Sequence, residues 1–212
     1  MVMLLIKIKK IKNMLEIKNI NVYNLEQSVI SCRNAMRLNM VEEQTNEEFT
    51  KSLDRAIKLA KLGGSTGHTS FRKGILVSFD MVYPLYITKQ MQRYHWFEYV
   101  ASSSTMHKLL KMDMDKCFNK YVTDLSKQQM KDLIAEYNSL PEDAVEAKYE
   151  AFMRCVSNCP EGLELFCHIT TNYEQLATMY KQRKHHKLKE DWGEFCKFVE
   201  NLPYAKELII CD

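Results

Sequence analysis

Residues 67–74 read GHTSFRKG and residues 90–109 read QMQRYHWFEYVASSSTMHKL; the reading of the whole chain turns on these two stretches. The first is a Gly-His-x-Ser turn. A glycine there lets the backbone approach a ligand closely, and His68 after such a turn can stack on a ring or donate to a phosphate. In the second stretch Gln90 and Arg93 are three apart, a spacing that predicts one shared helix face. Such a pair can fork onto a phosphate or a pyrimidine edge. Tyr94, His95, Trp96, Phe97 and Tyr99 form an aromatic run flanked by cations, a composition suited to a planar heterocycle. Ser102, Ser103, Ser104 and Thr105 add hydroxyls and helix-terminal amides of the kind that hold phosphate. Taken singly, each has a plainer alternative: a surface histidine, a salt-bridging arginine, a core stripe and a polar turn.

Working outward, residues 15–24 (LEIKNINVYN) alternate as a strand should, with Ile17, Ile20 and Val22 as apolar points. Residues 25–37 read as a helix. A second helix is expected from an N-cap at Asn46 to about Leu62, stopped by Gly63 and Gly64. Residues 69–80 alternate as a second strand, with Ile75, Val77 and Phe79 on one face, and an apolar segment, 81–88, leads towards Arg93. From Lys127 onward the pattern is helical, over 127–138, 142–156, 172–188 and 190–201, with Pro141, Pro160 and Pro203 at boundaries. The expectation is an α+β fold, an antiparallel or mixed sheet with helices and a helix-rich second half.

Composition narrows the class. With 212 residues, 46% apolar and 27% charged, the chain has the make-up of an ordinary globular protein. One domain of this size buries about 70% of its unfolded surface. The formal charge of +3 is too small to argue by itself for nucleic acid, although five lysines (7, 9, 10, 12 and 18) crowd the first 18 residues. A basic extension over residues 1–14 followed by one domain over 15–212 is therefore expected. The opening apolar run of about six residues is shorter than the roughly 7–15 of a secretory segment. No stretch reaches the roughly 18 apolar residues of a membrane helix. A cytoplasmic protein without a membrane partner is expected. The seven cysteines are odd in number and lack a CxxC, which fits reduced thiols. Cys155, Cys159, Cys167 and His168 can be drawn as a zinc site, but structural ligands usually come as two close pairs, and no metal is expected.

The two stretches together resemble the signature region of the flavin-dependent thymidylate synthases. That family carries Gly-His-x-Ser and then, some two dozen residues on, Gln-x-x-Arg-His-Arg-x-x-Ser-x-Asn-Glu-x-Ser-x-Arg-Tyr. Gly67, His68 and Ser70 match the first element; Gln90, Arg93 and Ser103 match the second without a gap, and Lys108-Leu109 match the Lys-Leu that often follows. Thr170-Thr171-Asn172 matches a later Thr-x-Asn, Arg183 stands eleven residues beyond it where the family has a nucleotide-binding Arg, and Trp192 falls near a family Trp. The resemblance spans about residues 15–205. There are also departures. Tyr94 and His95 replace the central His and second Arg, Glu98 the first Ser, Val100-Ala101 the Asn-Glu, and Thr105-Met106 the final Arg-Tyr. Thr178 replaces a flavin-contacting Asn and Glu174 an Arg. Losing a bidentate arginine is not conservative; Lys108, Arg72, His107 and Arg154 are the cations that would have to compensate.

What the resemblance implies is FAD-dependent transfer of a one-carbon unit from methylenetetrahydrofolate to C5 of a deoxypyrimidine monophosphate such as dUMP, with NADPH as reductant. It places His68, Ser70, Arg93, His95, Asn172 and Thr178 at the flavin, and Gln90, Ser102, Ser103, Ser104 and Arg183 at the nucleotide, with Ser103 as the catalytic candidate. It also implies a homotetramer with sites between subunits. The alternatives are a non-catalytic relative that keeps the fold and sequesters a nucleotide, and a nucleic-acid binder acting through the N-terminal lysines.

Overall fold

Four strands form one antiparallel sheet in the order β1-β2-β4-β3. The computed structural model describes residues 14–39, 45–63 and 67–211. β1 (Glu16–Tyr23) pairs with β2 (Leu76–Pro84), which pairs with β4 (Glu164–Asn172), which pairs with β3 (Phe97–Ser102). Period-2 alternation sends Val77, Phe79, Met81 and Tyr83 of β2, and Leu165, Cys167, Ile169 and Thr171 of β4, to one buried face. α8 (Lys189–Glu200) covers that face: Phe198 lies 4.7 Å from Phe79 and Phe195 lies 6.2 Å from Phe97, centroid to centroid. The opposite face is more polar. There His168 Nδ1 sits 2.7 Å from Asp80 Oδ1, and Asn19 Nδ2 donates to Asp80 Oδ2 at 2.6 Å.

The helices follow their caps. α1 (Leu25–Ser31) is short and is followed by a 3-10 turn at Asn34–Met36, so the helix expected over 25–37 is broken. α2 (Asn46–Lys61) is capped by Thr45, whose Oγ1 accepts from the Glu48 amide at 3.2 Å, one residue before the expected cap. Gly63 at φ 78 takes the left-handed conformation that ends it. α5 (Asp124–Ser139) and α6 (Val145–Asn158) form a helical pair tied by Arg154 Nη1 to Glu136 at 2.9 Å. α7 (Tyr173–Arg183) follows β4 directly.

Two expectations are corrected. Residues 69–74 are not strand: Ser70–Gly74 is a 3-10 turn that buries Phe71 and Arg72 side by side, which a period-2 strand cannot do. The segment 81–88 then divides at Pro84 into the end of β2 and the helix α3 (Leu85–Met91). The helical second half also contains β4, a central strand flanked by β2 and β3. The basic stretch 1–13 lies outside the described residues, while Met14 and Leu15 are buried. Among the described residues no helix is long and apolar enough to cross a membrane.

Candidate functional site

Arg183, the last residue of α7, is the hub of a cluster drawn from four parts of the chain. Its Nε donates to Tyr94 Oη at 2.7 Å and its Nη1 to Gln90 Oε1 at 3.0 Å, across 93 residues of sequence. The same Gln90 oxygen accepts from Trp192 Nε1 at 3.2 Å, and Tyr94 Oη donates to Gln182 Oε1 at 2.9 Å. The guanidinium carbon lies 4.3 Å from the Trp192 ring centroid and 5.4 Å from that of Tyr94. Trp192 and Tyr94 are buried, so the rings are fixed walls. A guanidinium offers five N–H donors, and these two bonds use only part of that capacity. The cluster thus holds a stacked, oriented arginine with donors in reserve, an arrangement suited to phosphate or carboxylate. Around it, burial first, then Arg183 and Lys187, hold His186 below its ordinary pKa, favouring the neutral ring. Burial raises the pKa of Asp191, opposed by the Tyr86 hydroxyl, which donates to both carboxyl oxygens at 3.1 Å.

A second polar region is built on the Gly-His turn. Gly67 sits at φ 72, and Ser70 Oγ donates to its carbonyl at 2.7 Å, closing the turn and leaving His68 exposed. Thr69 Oγ1 donates to Glu174 Oε1 at 3.1 Å, and Arg72 Nη1 lies 3.6 Å from Glu174 Oε2. Arg72 is 4% exposed, and its Nη2 donates to the Ala60 carbonyl and to Cys211 Sγ, both at 3.0 Å. Arg72 Nε is left without a hydrogen-bond partner. Beside this pair lies a cavity of about 680 Å³, a ligand-sized volume, lined by Lys61, Arg72, Glu174, Thr178, Lys181 and Lys184 among others. A hollow of about 790 Å³ between β1 and α8 is larger, but its lining includes Leu15, Ile17, Ile20 and Val22 and none of the flavin- or nucleotide-site candidates.

The residues singled out in the sequence fall in several places. Gln90 and Arg183 meet directly. Arg93 does not share Gln90's helix face: α3 ends at Met91, and Arg93 lies exposed in the following turn. His95 is exposed, edge-on to Trp96 at 5.8 Å. Ser102 ends β3. Ser103 extends the pairing, its amide donating to the Phe166 carbonyl at 2.8 Å and its Oγ accepting from the Phe166 amide at 3.1 Å. Ser104 caps the single-turn helix α4 (Thr105–Lys108), accepting from the His107 amide at 3.4 Å. Asn172 is buried and caps α7 through the Gln175 amide at 2.9 Å. Thr178 faces the cavity. Of the candidate compensating cations, Arg72 is buried against Glu174, and Arg154 is paired with Glu136. Sequence reading did not assign Tyr94, Gln182 or Trp192 to the Arg183 cluster; the departure of Tyr94 from the family pattern and the place of Trp192 near a family Trp were the signals for two of them.

No family model matches this sequence, and no curated protein does. Solved structures do match it. Thymidylate synthase X (ThyX) from Helicobacter pylori, solved with FAD and dUMP, aligns with a TM-score of 0.64 at 13% identity, covering 94% of this chain and 99% of that one. A second structure of flavin-dependent thymidylate synthase ThyX from the same organism, also complexed with FAD and dUMP, gives a TM-score of 0.62 at 14% identity, covering 92% of this chain and 97% of that one. The chain shares their fold over 92–94% of its length.

Proposed function

We propose that this chain binds a flavin and a deoxypyrimidine monophosphate and transfers a one-carbon unit to the pyrimidine. The observation that carries this reading is the meeting of Gln90 and Arg183 at 3.0 Å, in a fold shared with two solved structures that hold FAD and dUMP. The residues present suit FAD. A flavin dinucleotide needs cations for its pyrophosphate and a stacking or donating group for its ring. Lys61, Lys181, Lys184 and Thr178 line a cavity of sufficient size, and His68, Arg93 and His95 are exposed. The buried Nε of Arg72, without a partner, marks the same region as one built for an acceptor. When bound, the flavin, reduced by NADPH, supplies the hydride, and methylenetetrahydrofolate the carbon.

The chain's own part is positioning. Arg183, held by Tyr94 and Gln90 and stacked on Trp192, fixes the nucleotide's phosphate without reorganising as it binds. Trp192 and Tyr94 exclude water from one side of that contact. Ser103, whose hydroxyl accepts the Phe166 amide, presents its remaining O–H from a fixed strand end. Assembly as a homotetramer in the cytosol completes this reading.

The first test is the absorbance spectrum of the purified protein, followed by conversion of dUMP to dTMP with NADPH and methylenetetrahydrofolate. Flavin bands that saturate on adding FAD are expected; a colourless protein that takes up no FAD sinks the proposal. Native mass measurement checks the tetramer. A second reading, a nucleotide binder without flavin chemistry, is favoured by one observation: Val100 and Ala101 stand exposed on β3 where the family pattern has its Asn-Glu. It predicts thermal stabilisation by dUMP with no turnover once FAD is supplied.

A further inference from the structure

The short connection between α7 and α8 carries a histidine that reaches both ends of the Arg183 cluster. The His186 amide donates to the Arg183 carbonyl at 3.0 Å, and its half-buried ring lies edge-on to Trp192, 6.0 Å between centroids. The Arg183 guanidinium carbon is 4.3 Å from the centroid of the same indole. His186 and Arg183 therefore flank one fixed ring. A single bond sets the state of the imidazole: the Leu188 amide donates to Nδ1 at 3.2 Å. Nδ1 must be bare to accept, so the neutral ring carries its proton on Nε2. Leu188 opens α8 without a side-chain cap, and its carbonyl accepts from the Trp192 amide at 3.0 Å.

The charges around the ring explain why it is neutral. Burial, then Arg183, then Lys187 disfavour the imidazolium. The carboxylates of the first turn of α8 are engaged elsewhere. Glu190 is held by Lys120 Nζ and Tyr121 Oη, each at 2.8 Å, and Asp191 by the Tyr86 hydroxyl. Gln90 and Tyr94, which reach the cluster from α3 and the turn after it, carry no charge. The neutrality of His186 thus depends in part on the unbalanced charge of Arg183, and an anion seated on Arg183 offsets that charge.

We propose that His186 is the proton-coupled partner of a phosphate monoester bound at Arg183: when the phosphate arrives, Nδ1 takes a proton from solvent and a second positive charge appears beside the first. This rests on the reading of Arg183 as the anchor of the nucleotide's phosphate. The step is a proton uptake and nothing else. The protonated Nδ1 no longer accepts, so the Leu188 amide turns to water, while Trp192 stays held by Gln90. The anion-bound form takes the proton more readily, so affinity rises as pH falls through the ring's titration and is level on either side. A nucleoside without phosphate does not trigger the uptake.

The probe is inorganic sulfate, a dianion whose own charge is constant between about pH 5 and 8, where histidine titrates. Nitrogen-15 spectra of the folded full chain follow the His186 ring and the Leu188 amide, and calorimetry gives the affinity. Saturating sulfate at fixed pH should move the His186 signals towards imidazolium and shift the Leu188 amide. From about pH 8 to 5 the affinity should gain about twofold or more over that of His186→Asn, the effect of one unit charge about 8 Å away in water. The asparagine offers the Leu188 amide an uncharged acceptor at every pH, and the variant subtracts the titration of the other histidines. Sulfate that does not bind, or binding that survives Arg183→Met, defeats the phosphate reading of Arg183 and this proposal with it. Binding that needs Arg183 while His186 stays neutral, or a pH slope equally present in His186→Asn, overturns the proposal alone.

Discussion

Replacing Tyr94 by Phe removes one oxygen from the Arg183 cluster and leaves the ring in place. Two bonds go with it: a charge-assisted one from Arg183 Nε at 2.7 Å and a neutral one to Gln182 Oε1 at 2.9 Å. The first class is worth about 1.5–3 kcal/mol and the second about 0.5–1.5 kcal/mol. Gln182 is exposed, so water takes over its acceptor at little expense, and Arg183 is only partly buried, so its Nε is partly resolvated. The cation–π contacts survive, because both rings remain. The net loss is then about 1–2 kcal/mol, or about 3–6 °C in Tm for a chain of this length. Urea and thermal unfolding of Tyr94→Phe, Arg183→Met and the double variant measure it. The two residues should couple by about 1 kcal/mol or more, because they share a bond. A Tyr94→Phe variant indistinguishable from the parent, or losses that simply add, would refute the claim that this hydroxyl orients Arg183. Under the proposed function the same variant weakens dUMP binding several-fold through a less ordered Arg183.

Four shorter predictions follow. Burial raises the folded-state pKa of Asp191, so its contribution to stability is full below the unfolded carboxyl value and is lost as pH rises through the folded one. Asp191→Asn keeps an acceptor for Tyr86, and its Tm relative to the parent should rise from acid to neutral pH; a difference flat with pH contradicts this. Ser103→Ala takes away the acceptor of the Phe166 amide, so hydrogen exchange there should speed up and stability fall by about 0.5–1.5 kcal/mol; unchanged protection would show that the strand-end bond is unimportant. Glu174→Gln leaves the buried Arg72 without a counter-charge and should destabilise by about 3 kcal/mol, read by urea unfolding, with a loss below about 1 kcal/mol counting against the pair. Ala101→Glu/Thr105→Arg restores two charges of the family pattern and should tighten dUMP binding about ten- to a hundredfold; calorimetry showing no gain places the nucleotide elsewhere.

Much of the fold was legible where local physics agrees with the global arrangement. β1 alternates, α2 carries a cap and a glycine stop, and α5, α6 and α8 fall within a few residues of their expected bounds. β4 was not legible. Its inward residues Leu165, Cys167, Ile169 and Thr171 alternate, but outward Phe166 makes the segment look apolar on both sides, and helices flank it. Only its partners β2 and β3 make it a strand. The 69–74 segment failed for a converse reason: the Arg72 side chain is buried by an ion pair with Glu174, 102 residues away, which no local pattern encodes. Of the site, Gln90 and Arg183 could be paired through the resemblance, because a family motif records what converges. The expected Gln90–Arg93 pair came from helical spacing alone and missed the end of α3 at Met91.

The departures from the family pattern fall into two physical kinds. At Tyr94 the replacement is engaged: its hydroxyl bonds to the arginine that the pattern assigns to the nucleotide, so a charged side chain is exchanged for one that orients a charge already present. On β3 the replacement is structural. The register slips between Tyr99 and Ala101, leaving Val100 as an exposed extra residue, and Ala101 then lies opposite His168, whose ring is held by Asp80. A carboxylate at Ala101 would sit within reach of that His–Asp pair on the open sheet face, whereas alanine leaves the pair undisturbed. Under the proposed function, the nucleotide anchor is built around Arg183 while the strand end carries no charge at Val100 and Ala101. On that reading, phosphate recognition would rest on α7, and the choice of base would be left to what the uncharged end of β3 admits.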